Sequence, residues 1–327
     1  MNTDLETRVD TAGPRLETAG GLCEHRDERI ERIMRESLAR SERRAHLCDR
    51  LATTAVWALA VIALGILGFI IVAVLLRGIA IALTPSFIFG KPQAMKAGGG
   101  IWPMIVSSFY LAILTIAFVV PLGVGAAIYM TEFAREGRIT RLVRFGADSL
   151  STVPSVVFGI FGMVLFVIYF GLGYSLLAGA LTLSLLNLPT VMRTTEEAIK
   201  AVPHSYREAC LSLGANRWET VKKVVLPSAM PGITTGVVLA AGRIVGESAA
   251  VIYTVGLFVR KAPISPLQPA APMAANIWHN YTEGALVSDW MRVANGQAAF
   301  LLLVVLVLNL AARLIARFYR KRLGMVD

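Results

Sequence analysis

No stretch of the form GxxxxGK[ST] occurs in the 327 residues, so this chain has no phosphate-cradling loop with which to hold ATP itself. Cysteine is scarce: Cys23, Cys48 and Cys210 match no metal-ligand spacing and imply no disulfide framework. Histidine is as sparse. His25, His46, His204 and His279 stand apart from any partner at triad or ligand spacing, which argues against an enzyme and against a bound metal or other cofactor. Also missing is the short apolar core of a cleavable signal peptide. The first apolar run starts near Thr53 behind a charged leader and is expected to stay as an anchor.

What the chain has in abundance is apolar sequence, at 55% of residues. A soluble domain of this length needs far more polar surface, and a lipid-facing exterior resolves the excess. Runs long enough to cross a hydrocarbon core, which takes about 20 apolar residues, cover residues 53–76, 102–130, 148–170, 174–192, 229–256 and 297–318. The expectation is an all-α integral membrane protein with six transmembrane helices, the third and fourth parted only by the turn signal Gly171, Leu172, Gly173.

The net charge of +10 points to no nucleic-acid partner, because membrane proteins gather Lys and Arg in cytoplasmic loops. Most of the basic residues fall in the leader, in loops 131–147 and 193–228, and in the Arg313 to Arg322 tail, which predicts both termini in the cytoplasm. Trp102, Trp278 and Trp290 then lie near the outer interface, as anchors or as loop packing. Within the leader (1–52), residues 1–25 read as disordered. Residues 27–51 read as an amphipathic helix, on the membrane surface or simply solvated. Residues 53–320 form the membrane domain and 321–327 a short tail.

The most informative loop is REACLSLGANRWETVKKVVLPSAMPGI, residues 207–233. It reads as two short helices broken at Gly214, with Asn216 and Glu219 forming a capping box for the second. Trp218, Val221, Val224 and Val225 share one face, Lys222 and Lys223 lie opposite, and Pro227 is expected to end that helix before the fifth span begins. A unit this short must bury its apolar stripe against a partner, either the chain's own helix ends or another protein.

In the fifth span, Arg243 and Glu247 are four residues apart, hence on nearly one helix face of a continuous helix. Each costs about 2.5–3.5 kcal/mol at the centre of a span. Either they form a structural ion pair, or Arg243 meets a passing anion while Glu247 holds the guanidinium, whose planar fork suits a tetrahedral oxyanion. Arg193, with Thr194 and Thr195, could meet an anion leaving inward or could be an ordinary interface residue. Pro121, Pro154 and Pro189 are expected to kink their helices.

The spacing of Glu208, Ala209, Gly214, Leu226 and Pro227 resembles the EAA loop of importer permeases in the ATP-binding-cassette (ABC) superfamily, with Cys210 in place of the usual alanine. GGGIWPMIVSSFYLAI, PLGVGAAIYMTEFA, LSTVPSVVFGIFG, LPTVMRTTEEAIKAVP and GRIVGES, in that order, resemble the phosphate-specific transport permeases, more the A-type subunit than the C-type. The resemblance covers roughly residues 50–320. It implies the type I importer permease fold, with loop 207–227 as the coupling helix, Trp218 included, and Arg193, Arg243, Glu247 and Ser248 as residues of the substrate path. It further implies a second homologous permease, two ATPase subunits that use ATP and Mg, an external phosphate-binding protein and phosphate as cargo. Ser248 stands where the family usually has threonine, and Ala250 where it often has proline, which leaves the helix shape after Glu247 open. Molybdate or sulfate as cargo, or an ATP-independent carrier, are the rival readings.

Overall fold

The computed structural model describes residues 49–92, 99–135, 137–257, 261–284 and 289–322, so the expectations for residues 1–25, and for the amphipathic helix but for its last three residues, fall outside it. Among the described residues the chain is helical and contains no strand. That is the expected outcome for an apolar chain in lipid, where a helix satisfies its own backbone hydrogen bonds.

The first helix, α1, runs from Asp49 to Ala82. By its contacts the chain divides within α1, after Ile71. Residues 49–70 are all exposed, including Trp57, Ile62, Leu64 and Phe69. A patch this apolar needs a cover of lipid or protein.

In the second unit α2 (Pro85–Phe89) precedes α3 (Trp102–Ile128), which continues as a π turn, Tyr129–Phe133. Then come α4 (Arg138–Thr152), α5 (Ser155–Gly162, extended by a π segment Met163–Tyr169) and α6 (Leu176–Lys200). α7 (His204–Ser212) is followed by α8 (Arg217–Thr220), which passes through a π turn at Val221–Val225 into α9 (Leu226–Gly246). α10 (Ala249–Ile252), α11 (Met273–Glu283) and α12 (Trp290–Arg322) complete it. Among the described residues, five helices are long and apolar enough to span a bilayer, and α4 with α5 makes a sixth if the bent pair counts as one. The chain is therefore a multi-pass membrane protein.

α6 is the hub. Two thirds of its apolar stretch is buried, twice the share of α3 or of the α8–α9 helix, and α3, α5 and α9 all pack on it. Small residues permit the close approach, as between membrane helices generally: Gly123 of α3 sits on Val191, Gly162 on Thr182, and Gly236 of α9 on Thr194. The largest apolar cluster joins Leu111, Leu176, Leu183, Ile244, Val251 and Val255.

One expectation is sharpened and two are corrected. The kink expected at Pro154 is present and severe: the third span, placed at 148–170, bends by 101° between α4 and α5, at Val153 and Pro154. Pro154 cannot donate to the ladder, and it disfavours helical backbone at Val153, which is extended at ψ 130°. Much of the 131–147 loop is thus the helix α4. α5 with its π segment has 8 plus 7 residues, Ser155–Tyr169, a rise of about 22 Å against a hydrocarbon core of about 30 Å. Second, Pro227 does not end its helix: Arg217–Gly246 is one 30-residue helix. The π turn before it, where the Leu226 amide bonds to the Val221 carbonyl, already interrupts the regular ladder, which makes room for the ring. Third, the fifth span does not continue to 256. α9 stops at Gly246, with Glu247 extended at ψ 125°. After this break Ala250, Val251 and Val255 turn into the core and are fully buried, a gain that outweighs continued helix.

The turn between α5 and α6 follows the sequence reading, with Gly171 and Gly173 at φ +68° and +62°. Pro121 and Pro189 lie within unbroken helices. α11, unforeseen in the sequence, is held by amides: Gln297 donates to Asn276 (2.9 Å), and Asn280 donates to Gln297 (3.1 Å).

Candidate functional site

The elbow around Gly214 forms as the sequence predicts. Gly214 has φ +84°, and a Cβ at this position would meet nothing within 4 Å, so glycine is required there by backbone conformation and not by crowding. Asn216 accepts from the Glu219 amide (2.8 Å) and Glu219 accepts from the Asn216 amide (3.1 Å), completing the capping box. Val221 and Val225 are buried and Val224 is partly so, while Lys222 and Lys223 are exposed. Trp218 departs from that stripe: it is 58% exposed, its ring 6.2 Å from Phe133. With Tyr206, Leu211 and Leu213, the last 88% exposed, it leaves the elbow with an uncovered apolar surface. Glu208 and Ala209 are exposed on α7, and Glu208 pairs with no described residue. Leu226 and Pro227 begin α9, on the same continuous helix as Trp218.

Arg243 lies on α9 three residues before the break. α6 and α9 run antiparallel, with Gly232 on Ala198 and Gly236 on Thr194. Arg243 is seven residues further along, about 10 Å beyond Thr194, level with the middle of α6. It is exposed, and no described carboxylate lies within ion-pair distance. The expected Arg243–Glu247 pair is absent because Glu247 is no longer on the helix; its amide bonds to the Ile244 carbonyl (3.2 Å). Ser248 opens α10, its carbonyl accepting from Ile252 (3.0 Å). Glu247 and Ser248 are both half-buried beside Arg243 in sequence but off its helix face.

Arg193 is not brought to Arg243. It lies nearer the α7 end of α6, and its guanidinium meets Asp148 (3.1 Å) and Glu197 (3.7 Å), all three side chains being well exposed. Two carboxylates thus already balance its charge.

Two ion clusters escaped the sequence reading. Glu196, 10% exposed, bridges Arg144 of α4 (2.7 Å) and Lys200 (2.9 Å). Arg207, the residue before Glu208, donates from Nε and Nη2 to Glu132 Oε1 (3.1 and 2.7 Å), from Nη1 to the Val202 carbonyl (2.7 Å) and from Nη2 to the Ile199 carbonyl (3.0 Å). Their only sequence signal is isolated charge at the ends of apolar runs. No described cluster of His, Cys, Asp and Glu could hold a metal.

The described residues thus bring together a helical elbow with an uncovered apolar surface and, on the helix that leaves it, a cation level with the middle of α6. The chain belongs to the family of binding-protein-dependent transport system inner membrane components, which matches residues 120–325. It is therefore a non-catalytic membrane subunit of an ABC transporter, a class that works with an ATPase partner and a substrate-binding protein. It is 39% identical over 289 residues to the "Probable ABC transporter permease protein YqgI" of Bacillus subtilis (strain 168), covering 85% of this chain and 98% of that one. It is 36% identical over 228 residues to the phosphate transport system permease protein PstA 2 of Mycobacterium tuberculosis (strain CDC 1551 / Oshkosh), covering 69% and 74%. To the PstA of Xylella fastidiosa (strain Temecula1 / ATCC 700964) it is 34% identical over 223 residues, covering 68% and 76%. The fold is similar to that of a chain of the MetNI methionine ABC transporter, solved in inward-facing conformations, with a TM-score of 0.53 at 21% identity over 67% of this chain and 94% of that one. The bacterial alginate ABC transporter is similar, at 0.53 and 18% identity over 67% and 80%.

Proposed function

We propose that this chain is one of two homologous permeases in an ATP-driven phosphate importer. The observation that carries this reading is Arg243, an exposed guanidinium without a described counter-ion at mid-depth beside a helix break, in a chain whose relatives include phosphate transport permeases. A fixed cation there offers an oxyanion paired hydrogen bonds in a low-dielectric setting where its own charge is otherwise unbalanced. The break at Glu247 and Ser248 leaves backbone groups near the same level, as in the discontinuous helices of other transporters. Ser248 adds a hydroxyl beside them. Arg193, with its carboxylate partners, serves the inward exit at most through rearrangement of those pairs.

Both termini and the elbow face the cytoplasm in this reading. The exposed surface of Tyr206, Leu211, Leu213 and Trp218, with Glu208, Ala209 and Gly214, docks on one of two ATPase subunits that bind ATP and Mg. ATP binding moves the elbow, and because Trp218, Leu226, Pro227 and Arg243 share one helix, the motion reaches the cation directly. An external binding protein delivers the anion and does most of the selection. The second permease completes the passage.

The test is uptake into proteoliposomes holding the assembled transporter. Arg243→Ala is expected to abolish phosphate uptake while the complex assembles normally; undiminished uptake by the assembled variant refutes the role. Competition by molybdate and sulfate separates phosphate from the rival cargoes.

A further inference from the structure

α7, the first arm of the elbow, has no buried residue and packs chiefly on α8 and the π turn that follows it. Its polar connection to the membrane-spanning helices, among the described residues, is the Arg207 side chain. That guanidinium reaches Glu132 in the terminal π turn of α3, and the Ile199 and Val202 carbonyls at the end of α6. The two side chains are 14% and 10% exposed. A pair so far removed from water is held rigidly, since either partner alone would be a desolvated, unpaired charge. Its position also suits the α6 terminus, where the end of the helix carries partial negative charge that a cation satisfies.

We infer that Arg207 is a positioning residue for energy coupling: by clasping Glu132 and the last carbonyls of α6, it makes α3 and α6 follow α7 when the ATPase moves the elbow. Without the clasp, α3 loses its polar tie to α7, and α6 follows the elbow only through the short link 201–203 and its packing on α9. The inference rests on the importer reading above. Its signature is uncoupling: ATP is still hydrolysed, while less cargo crosses per ATP.

Phosphate uptake and ATP hydrolysis are measured in the same vesicles, containing the whole transporter with its binding protein. Arg207→Gln and Glu132→Gln are each expected to keep hydrolysis within about twofold yet lower phosphate imported per ATP about tenfold, because a desolvated hydrogen-bonded charge pair is lost. Arg207→Lys, which keeps the charge without the fork, is expected to recover part of the ratio. An unchanged ratio in both neutral variants overturns the clasp's role. So does a parallel fall of both rates with loss of assembled complex, the mark of a merely structural pair. Failure of the wild-type transporter to import phosphate with ATP overturns the importer reading and the clasp's role with it, whereas the preceding outcomes overturn the clasp alone.

Discussion

Gly214 and Arg207 are seven residues apart, yet they differ in how visible they are in the sequence. The left-handed backbone at Gly214 and the Asn216–Glu219 capping box are local features, dictated by residues within three or four positions, and the pattern G-A-N-R-W-E announces them. The Arg207–Glu132 pair joins residues 75 apart in the chain, and no local rule selects Glu132 over the other isolated carboxylates. The same holds for Arg243: its residue type and position were readable, but its missing partner depended on where the helix stops. At Gly214 any side chain must enter a backbone region that costs an L-residue about 1–2 kcal/mol. Gly214→Val is therefore expected to lower the thermal unfolding midpoint and the import rate of the assembled transporter, and Gly214→Asn to do so less. Equal effects of the two in a melting assay would show that backbone conformation is not the cause.

Among elements, the apolar runs located the five spanning helices of the described residues and the bent α4–α5 pair that makes a sixth if it counts as one. Their ends were less readable. α9 stops ten residues short of the predicted end because Ala250, Val251 and Val255 are worth more buried against α5 and α6 than in a continued helix. α4 turned a supposed loop into a helix whose charged side is tied to α6 through Arg144 and Asp148. Helix contacts through small residues give a sharp contrast at this scale. Gly236 lies on Thr194, so Gly236→Leu overpacks the α6–α9 seam and is expected to cost about 1–3 kcal/mol. Gly125 of α3 has open space around it, and Gly125→Ala is expected to be neutral or stabilising by about 0.5–1 kcal/mol. Thermal melting of the two variants in detergent measures both, and a milder effect at 236 than at 125 contradicts this packing.

For the whole molecule, membership in an ABC transporter follows from the family, and in the proposed reading the uncovered surface of the elbow is what the ATPase holds. An exposed tryptophan such as Trp218 is the kind of residue on which interfaces concentrate their energy, and Leu213 adds apolar area. Replacing both by alanine is expected to weaken capture of the ATPase by about 2 kcal/mol or more, roughly thirtyfold in affinity. Copurification of the two subunits checks this; undiminished capture with an unchanged helical circular dichroism signal places the interface elsewhere. The motif spacing suggested a docking loop here, but not which of its side chains stay uncovered. Trp218 was expected to share one face with Val221, Val224 and Val225, covered by the chain itself or by another protein; the valines turn inward, while Trp218 lies exposed, as does Leu213.

A nine-residue helix with no interior of its own lies below the length at which such a segment keeps its shape unaided in water. α7 therefore receives much of its order from whatever seats against it. In an orphaned subunit the Arg207 clasp anchors the start of this lever while its far end at Leu213 stays uncovered, and in the proposed reading the arrival of the motor completes its seat.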